Sequence, residues 1–170
     1  MHELELTYLA KFLPEDLKKH PSKEVADLYI PGDKPHPSIR LRKNGDKYEL
    51  TKKEPIKDGD ATSQLEQTIV LREDEYQFLS KLKGKKSSKI RYKYDYKGRV
   101  AEIDVFTDKL QGLVIVDFEF KKKTEMKRFQ MPDFCLAFVG QEKFLAGGML
   151  CGKTYSDIAT ELKKYDYKKL

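Results

Sequence analysis

Apolar and polar residues alternate with period two through most of this chain, which sends successive side chains to opposite faces and predicts strands. The clearest run is 89–121. There Lys89, Arg91, Lys93 and Asp95 alternate with Ile90, Tyr92, Tyr94 and Tyr96. After a Lys97–Gly98 turn, Glu102 and Asp104 alternate with Ala101, Ile103 and Val105. Past the loop at Lys109–Gly112, Asp117, Glu119 and Lys121 alternate with Val114, Val116, Phe118 and Phe120. The result is three successive strands, each with one charged and one apolar face. The charge is sorted by strand, mostly basic on the first and mostly acidic on the next two, whereas a solvated face ordinarily mixes its signs.

The same alternation recurs upstream. Residues 2–10 place Glu3, Glu5 and Thr7 opposite Leu4, Leu6 and Tyr8. A helical turn fits 13–20, before Pro21 breaks it. Short strands follow at Ala26–Ile30 and Ile39–Arg42, and Asn44–Gly45 signals a hairpin into Lys47–Lys53. Residues 54–63 read as a loop and Leu65–Leu71 as a strand carrying Glu66. Asp74 and Gln77 suggest a capping box for a helix over Glu75–Lys83, with Gly84 as its stop. Lys83–Lys89 reads as a basic loop, Pro132–Val139 as a short helix and Gly147–Gly148 as a loop. The glycine pair lacks the lysine and hydroxyl ending of a phosphate-cradling loop. Ser156 caps a final helix reaching Lys164.

About eight strands with three helices predict an α+β fold, and with no repeat or boundary signal residues 1–170 read as a single domain. Periodicity allows two architectures. A sandwich would bury the apolar faces against each other and leave the charged rows outside. A closed barrel with its apolar faces outward against helices would turn those rows into a lumen.

Composition narrows the chemistry. Of 170 residues, 36% are charged and 39% hydrophobic, polar for a folded domain but outside the disordered class. A net charge of +6 suits an anionic partner. Cys135 and Cys151 make neither a disulfide framework nor a zinc site, and His2, His20 and His36 have no metal-ligand spacing. No apolar run reaches the ~20 residues of a membrane span, and the N-terminus lacks a signal-peptide pattern. These features predict a soluble, cytoplasmic protein that works without a membrane, and no DNA partner is expected.

If the charged rows converge, two carboxylates ~5 Å apart at an effective dielectric near 20 repel by roughly 3 kcal/mol. A divalent cation relieves this, and Mg²⁺ or Mn²⁺ suits carboxylate oxygens while keeping room for water and phosphate. Arginine matches phosphate bidentately and lysine supplies a point charge. Acidic and basic rows together are the chemistry of a metal-chelated polyphosphate.

Several segments taken in order resemble the CYTH superfamily, the triphosphate tunnel metalloenzymes, over nearly the whole chain. They are Glu3-Leu-Glu5-Leu-Thr7 against the family's ExExK strand, Asp27-Leu-Tyr29, Ile39-Arg-Leu-Arg42, Leu50-Thr-Lys-Lys53, Lys89-Ile-Arg-Tyr92, Glu102-Ile-Asp-Val-Phe106 and Gly112-Leu-Val-Ile-Val-Asp-Phe-Glu119. The resemblance implies an eight-stranded antiparallel tunnel that binds a triphosphate with divalent metal. By position, Glu3, Glu5, Asp117 and Glu119, assisted by Asp104 and Glu66, would hold metal. Arg40, Arg42, Lys53, Lys89 and Arg91 would bind phosphate, with Lys89 also placed in catalysis. Tyr29 matches a tyrosine that pairs with the signature lysine to activate water in hydrolytic members.

The chain departs from that pattern at Thr7, which occupies the lysine position, and at Thr68, where many relatives carry a second acid. Lys11 has the right parity but lies about 13 Å further along the strand. Lys143 and Lys153 are weaker candidates for phosphate contact. The expected activity is metal-dependent hydrolysis of a triphosphate compound by a monomer or homodimer, with inorganic tripolyphosphate the first candidate ahead of ATP and thiamine triphosphate. A class IV adenylate cyclase, for which no adenine pocket is legible, and a non-catalytic polyphosphate or nucleotide binder are the alternatives.

Overall fold

The computed structural model describes residues 4–35, 37–55 and 64–170, with side chains for all of these except residues 53–55 and 64–65. Nine strands are formed among these residues: β1 Leu4–Ala10, β2 Ser22–Ile30, β3 Ile39–Asn44, β4 Lys47–Pro55, β5 Gln64–Leu71, β6 Lys85–Tyr96, β7 Arg99–Phe106, β8 Val114–Phe120 and β9 Cys135–Phe138. The helices are short: α1 Glu73–Leu79, α2 Lys123–Arg128, α3 Gly147–Leu150 and α4 Tyr155–Lys163. None among the described residues is long and apolar enough to cross a membrane.

The chain divides into two compact units. One takes the residues up to Lys23, Lys89–Leu145 and Lys153–Leu170. Its strands run in the order β6-β7-β8-β1-β9, every described pair antiparallel. The β6–β7 hairpin closes where expected. Lys97 and Gly98 both take positive φ, 53° and 79°, and Gly98 N–H donates to Asp95 Oδ1 at 2.9 Å. The apolar face of this run is the main core. Tyr8, Ile103, Val116 and Phe118 are buried there with Leu17 and Phe134, and Met126 and Phe129 pack against it. Phe118 sits edge-on to Tyr8 and Tyr96 with ring centroids 6.3 Å apart in both cases.

The other unit takes Glu24–Ser88 and Ala146–Gly152, with strands in the order β5-β4-β3-β2. Leu28 and Leu41, partners in register, are buried on one face. The β3–β4 turn is pinned by Gly45, whose φ is 62° and whose N–H donates to Glu24 O at 2.8 Å.

Several sequence expectations change. Neither strand run closes on itself, and among the described residues β5 and β9 each pair along one edge only, so the structure shows an antiparallel α+β fold of nine strands rather than a closed eight-stranded barrel. The extra strand is β9, expected as a helix. Its short Cys-Leu-Ala-Phe stretch satisfies the otherwise open edge of β1, with Tyr8 opposite Phe138 and Val139 N–H donating to Thr7 O at 2.8 Å. Helix α2 was not legible. The basic loop before residue 89 is instead strand from Lys85 onward. Helix α1 starts earlier than Asp74 implies, because Glu75 Oε2 accepts from Arg72 N–H at 2.8 Å. In α4 the cap is Thr154 rather than Ser156, with Asp157 N–H donating to Thr154 Oγ1 at 3.3 Å and Thr154 N–H to Asp157 Oδ2 at 2.7 Å.

Candidate functional site

The first unit's sheet gathers charge on one face. In register, Glu5 is opposite Glu119, Thr7 is opposite Asp117, Asp117 is opposite Glu102, and Glu102 and Asp104 are opposite Lys93 and Arg91. Period-two geometry therefore puts all of these on the side away from the aromatic core. Leu9, Phe106 and Ile115 share that side and are buried, so the charged row is apolar at one end.

Asp104 is the most deeply buried acid, 1% exposed. Arg91 grips it with both arms of its guanidinium, Nε to Oδ1 and Nη2 to Oδ2, each at 2.7 Å. Lys89 Nζ donates to the same Oδ2, and Arg91 Nη1 reaches on to Glu102 Oε2. Lys89 also sits over the Phe106 ring, 5.3 Å from its centroid. Burial pushes the Asp104 carboxyl up, but Lys89 and Arg91 more than offset that and hold it below the usual carboxylate range. Burial pulls Arg91 down, and Asp104, Glu102 and Asp117 more than restore it. Lys89 and Arg91, expected as phosphate ligands, are thus engaged by the neighbouring strand.

Asp117 has the opposite environment. Its Oδ1 is buried without a hydrogen-bond partner. Burial first, then the charges of Glu5 and Asp104, push its carboxyl up to about 7, with a Thr7 hydrogen bond and Lys89 pulling weakly the other way. Thr7 Oγ1 also lies 3.2 Å from Glu5 Oε1, so its one hydroxyl proton serves the two carboxylates in turn. A group in this state is short of one cation. Among the described residues no three acids already stand at metal-binding separation. That arrangement still fits Mg²⁺, which is commonly held by one or two carboxylates plus water and phosphate oxygens. Glu5, Asp117 and Glu119 supply hard oxygen donors on adjacent strands, and the orphaned Oδ1 is the observation that favours a cation there. Asp104 and Glu102 are committed to arginine and lysine.

The second unit carries its own polar face. Tyr29 is opposite Arg40, Asp27 opposite Arg42, Arg40 opposite Thr51, and Thr51 opposite Thr68. Arg42 binds buried Asp27 bidentately, Nε to Oδ1 at 2.6 Å and Nη2 to Oδ2 at 2.8 Å. Arg40 Nη2 donates to Thr51 Oγ1 at 3.5 Å, while Arg40 Nε is buried without a partner. Thr51 and Thr68 share a 3.0 Å hydrogen bond, and Thr68 Oγ1 donates to Glu66 Oε1 at 3.3 Å. Burial, then Asp27, raise the Tyr29 phenol above its ordinary value, Cys151 adding to this and Arg40 and Arg42 opposing it.

Of the residues singled out from sequence, Glu5, Lys89, Arg91, Asp104, Asp117 and Glu119 share the first unit's face, and Tyr29, Arg40, Arg42 and Glu66 lie on the second unit's strands. Lys53 is placed only by register, opposite Glu66. Glu3 lies outside the described residues. Sequence reading did not assign roles to Asp27 and Glu102. The available signal was parity: Asp27 is two residues from Tyr29 and Glu102 two from Asp104, so each shares a face with its neighbour.

No protein-family model and no curated protein sequence matches the chain. Solved structures do. The inorganic triphosphatase NE1496 superposes with a TM-score of 0.68 at 22% identity, covering 90% of this chain and 96% of that one. HpAC1 from Hippeastrum, described as an adenylyl cyclase candidate with a dominant triphosphatase activity, gives 0.51 at 12% identity, covering 97% and 88%. An adenylate cyclase candidate from Bacillus halodurans gives 0.51 at 15%, covering 99% and 91%. The chain has the fold these proteins share, in agreement with its resemblance to the CYTH superfamily.

Two outcomes are expected. Arg91→Ala leaves Asp104 buried with half its compensation gone, so the variant should lose about 3 kcal/mol of stability in denaturant unfolding. Unchanged unfolding would mean that Arg91 serves ligand alone. For Asp117, a folded-state value raised to about 7 gives a stability contribution that is whole below the ordinary aspartate range and lost as pH rises through 7. Asp117→Asn should flatten that slope, so in EDTA the wild type should lose more melting temperature than the variant between pH 5 and pH 8. Equal slopes would contradict the assignment.

Proposed function

We propose that this chain is a divalent-metal-dependent triphosphatase, acting on inorganic tripolyphosphate, with ATP and thiamine triphosphate as the other substrates to compare. The observation that carries the reading is the carboxylate row of Glu5, Asp117 and Glu119, with a buried, unpartnered Asp117 oxygen, on a fold shared with an inorganic triphosphatase. A single domain spanning residues 1–170 and a cytoplasmic location belong to the same proposal.

Glu5, Asp117 and Glu119, joined by Glu3, would hold Mg²⁺ or Mn²⁺, which when bound would neutralise phosphate oxygens and polarise the phosphorus. Arg40, Arg42 and Lys53 bind the phosphate oxygens. Arg40 is the best prepared, because its Nε has no protein acceptor. Arg42 stays oriented by its fork on Asp27. Lys89 and Arg91 hold positive charge at the acidic row while they keep Asp104 ionised, and Glu66 with Thr68 orders the polar face beyond Arg40. Water attacks the terminal phosphorus in line and the bond to the bridging oxygen breaks, so tripolyphosphate yields pyrophosphate and orthophosphate. A Tyr29 phenol raised above its ordinary value stays protonated at neutral pH. Its role is therefore to orient the water by hydrogen bonding, rather than to act as an anionic base.

Thr7 favours a second reading, a binder without turnover. Where the family places an ammonium group there is a hydroxyl donating to Glu5. Binding and charge stabilisation survive this change, since phosphoryl transfer rests largely on positioning and electrostatics.

Purified protein incubated with Mg²⁺ or Mn²⁺ should release orthophosphate from tripolyphosphate faster than from ATP or thiamine triphosphate. Failure to release phosphate from any of the three would overturn the hydrolase reading, and cyclic AMP as the product from ATP would replace it with the cyclase. Thr7→Lys separates the remaining two. If the wild type is a working hydrolase, the substitution should change its rate by less than about tenfold; a rise of a hundredfold or more from a near-zero base would identify a binder.

A further inference from the structure

The Gly147–Gly148 pair reads from sequence as a loop without a phosphate-cradling ending, and the strand rows leave it without a role. The structure assigns it one: we infer that Gly147 is a positioning residue for Tyr29, forming a side-chain-free socket that sets where the phenol hydroxyl sits. The inference rests on the reading of Tyr29 as the group that orients the attacking water.

Three observations carry it. The first is space. A Cβ placed on Gly147 would lie 2.4 Å from Tyr29 Oη and 3.3 Å from its Cζ, closer than atoms approach without something moving. At Gly148 a Cβ would meet Tyr29 Cε1 at 3.5 Å and Pro37 O at 3.6 Å, which is ordinary contact. The backbone of the pair therefore lies along the ring from its edge to its hydroxyl, closest at Gly147.

The second is conformation. Neither glycine is among those with positive φ, which are Gly45, Gly98, Gly112 and Gly152. Any L-residue could adopt the backbone at 147, so what glycine supplies there is the missing side chain.

The third is anchoring. Residues Ala146–Gly152 belong to the same compact unit as Tyr29, although the chain on either side of them belongs to the other. This short segment is held within its unit at its far end. Gly152 N–H donates to Lys86 O at 3.0 Å, and Cys151 Sγ lies 2.8 Å from Ser87 Oγ. Inside it, α3 is closed by Leu150 and Cys151 N–H groups donating to Ala146 O and Gly147 O at 2.8 and 2.9 Å. A segment fixed in this way cannot drift back to admit a methyl group, so the displacement would fall on the tyrosine. Tyr29 is itself fixed at its backbone by pairing with Arg40, which leaves its ring and hydroxyl to move.

The test is a double-mutant cycle, because Tyr29→Phe removes the very atom that would collide. Gly147→Ala should lower the melting temperature by several degrees in the wild-type background and by less than half as much in the Tyr29→Phe background. Equal losses in both would overturn the socket whether or not the protein turns over substrate. Where Gly147→Ala fails to fold, the Tyr29→Phe/Gly147→Ala protein should still fold, and its failure too would overturn the socket. With tripolyphosphate and Mg²⁺, Gly147→Ala should lower kcat at least tenfold with KM changed less than threefold, while Gly148→Ala should lower it less than threefold. Thermal coupling with wild-type kcat in Gly147→Ala would overturn the positioning role. If the wild type itself turns over none of the triphosphates, the hydrolase reading and with it the positioning role fail, while the socket stands or falls on the thermal cycle alone.

Discussion

The arrangement depends on how charge is kept on a partly buried sheet face. An isolated carboxylate in the position of Asp104 would be driven to its neutral form by desolvation. Arg91 prevents this by meeting both oxygens at 2.7 Å, and Lys89 adds a third donor. The clamp spans β6 and β7 at a single register step, so it also favours the pairing that carries the basic row past the acidic one. A slip by one residue would send Arg91 to the aromatic core and Tyr92 to the acids. Once the clamp is made, Asp104 and Glu102 have partners and the Asp117 Oδ1 atom does not. That imbalance, one carboxylate oxygen without a donor beside a row of acids, is what the proposed cation site rests on.

The second unit repeats the logic with the signs reversed. Asp27 is buried and satisfied by the Arg42 fork, which leaves Arg40 as the cation whose Nε has no acceptor. In each unit a buried acid is satisfied within the protein, Asp104 by Arg91 and Lys89 and Asp27 by Arg42, while a neighbouring group keeps an atom without a partner, Asp117 Oδ1 and Arg40 Nε.

Much of this was legible in the chain. Alternation located the three strands of 89–121 and placed Glu5, Asp104, Asp117 and Glu119 each on the charged face of its own strand, because side-chain direction within a strand follows from residue number. Parity does not report pairing partners. Lys89 and Arg91 read from sequence as phosphate ligands, and only the β6–β7 register, which sets Arg91 opposite Asp104, shows their bonds to that acid. The strand at Cys135–Phe138 was hidden for a different reason. Four residues are too few to show a period, and what makes them strand is the open edge of β1 rather than their own preference. The caps at Arg72 and Thr154 were misplaced by a residue or two, since several polar residues precede each helix and only the hydrogen bonds choose among them. Closure of the strands into a barrel could not be read from periodicity, which is the same for an open face and a lumen.

The central claim is that Glu5 and Asp117 hold a divalent cation needed for polyphosphate binding. Calorimetric titration of Mn²⁺ into the wild type and into Glu5→Gln, each at pH 7.5 with a non-hydrolysable tripolyphosphate analogue present, tests it most directly. Binding should weaken at least tenfold in Glu5→Gln, and binding of equal strength in the two proteins would contradict the claim.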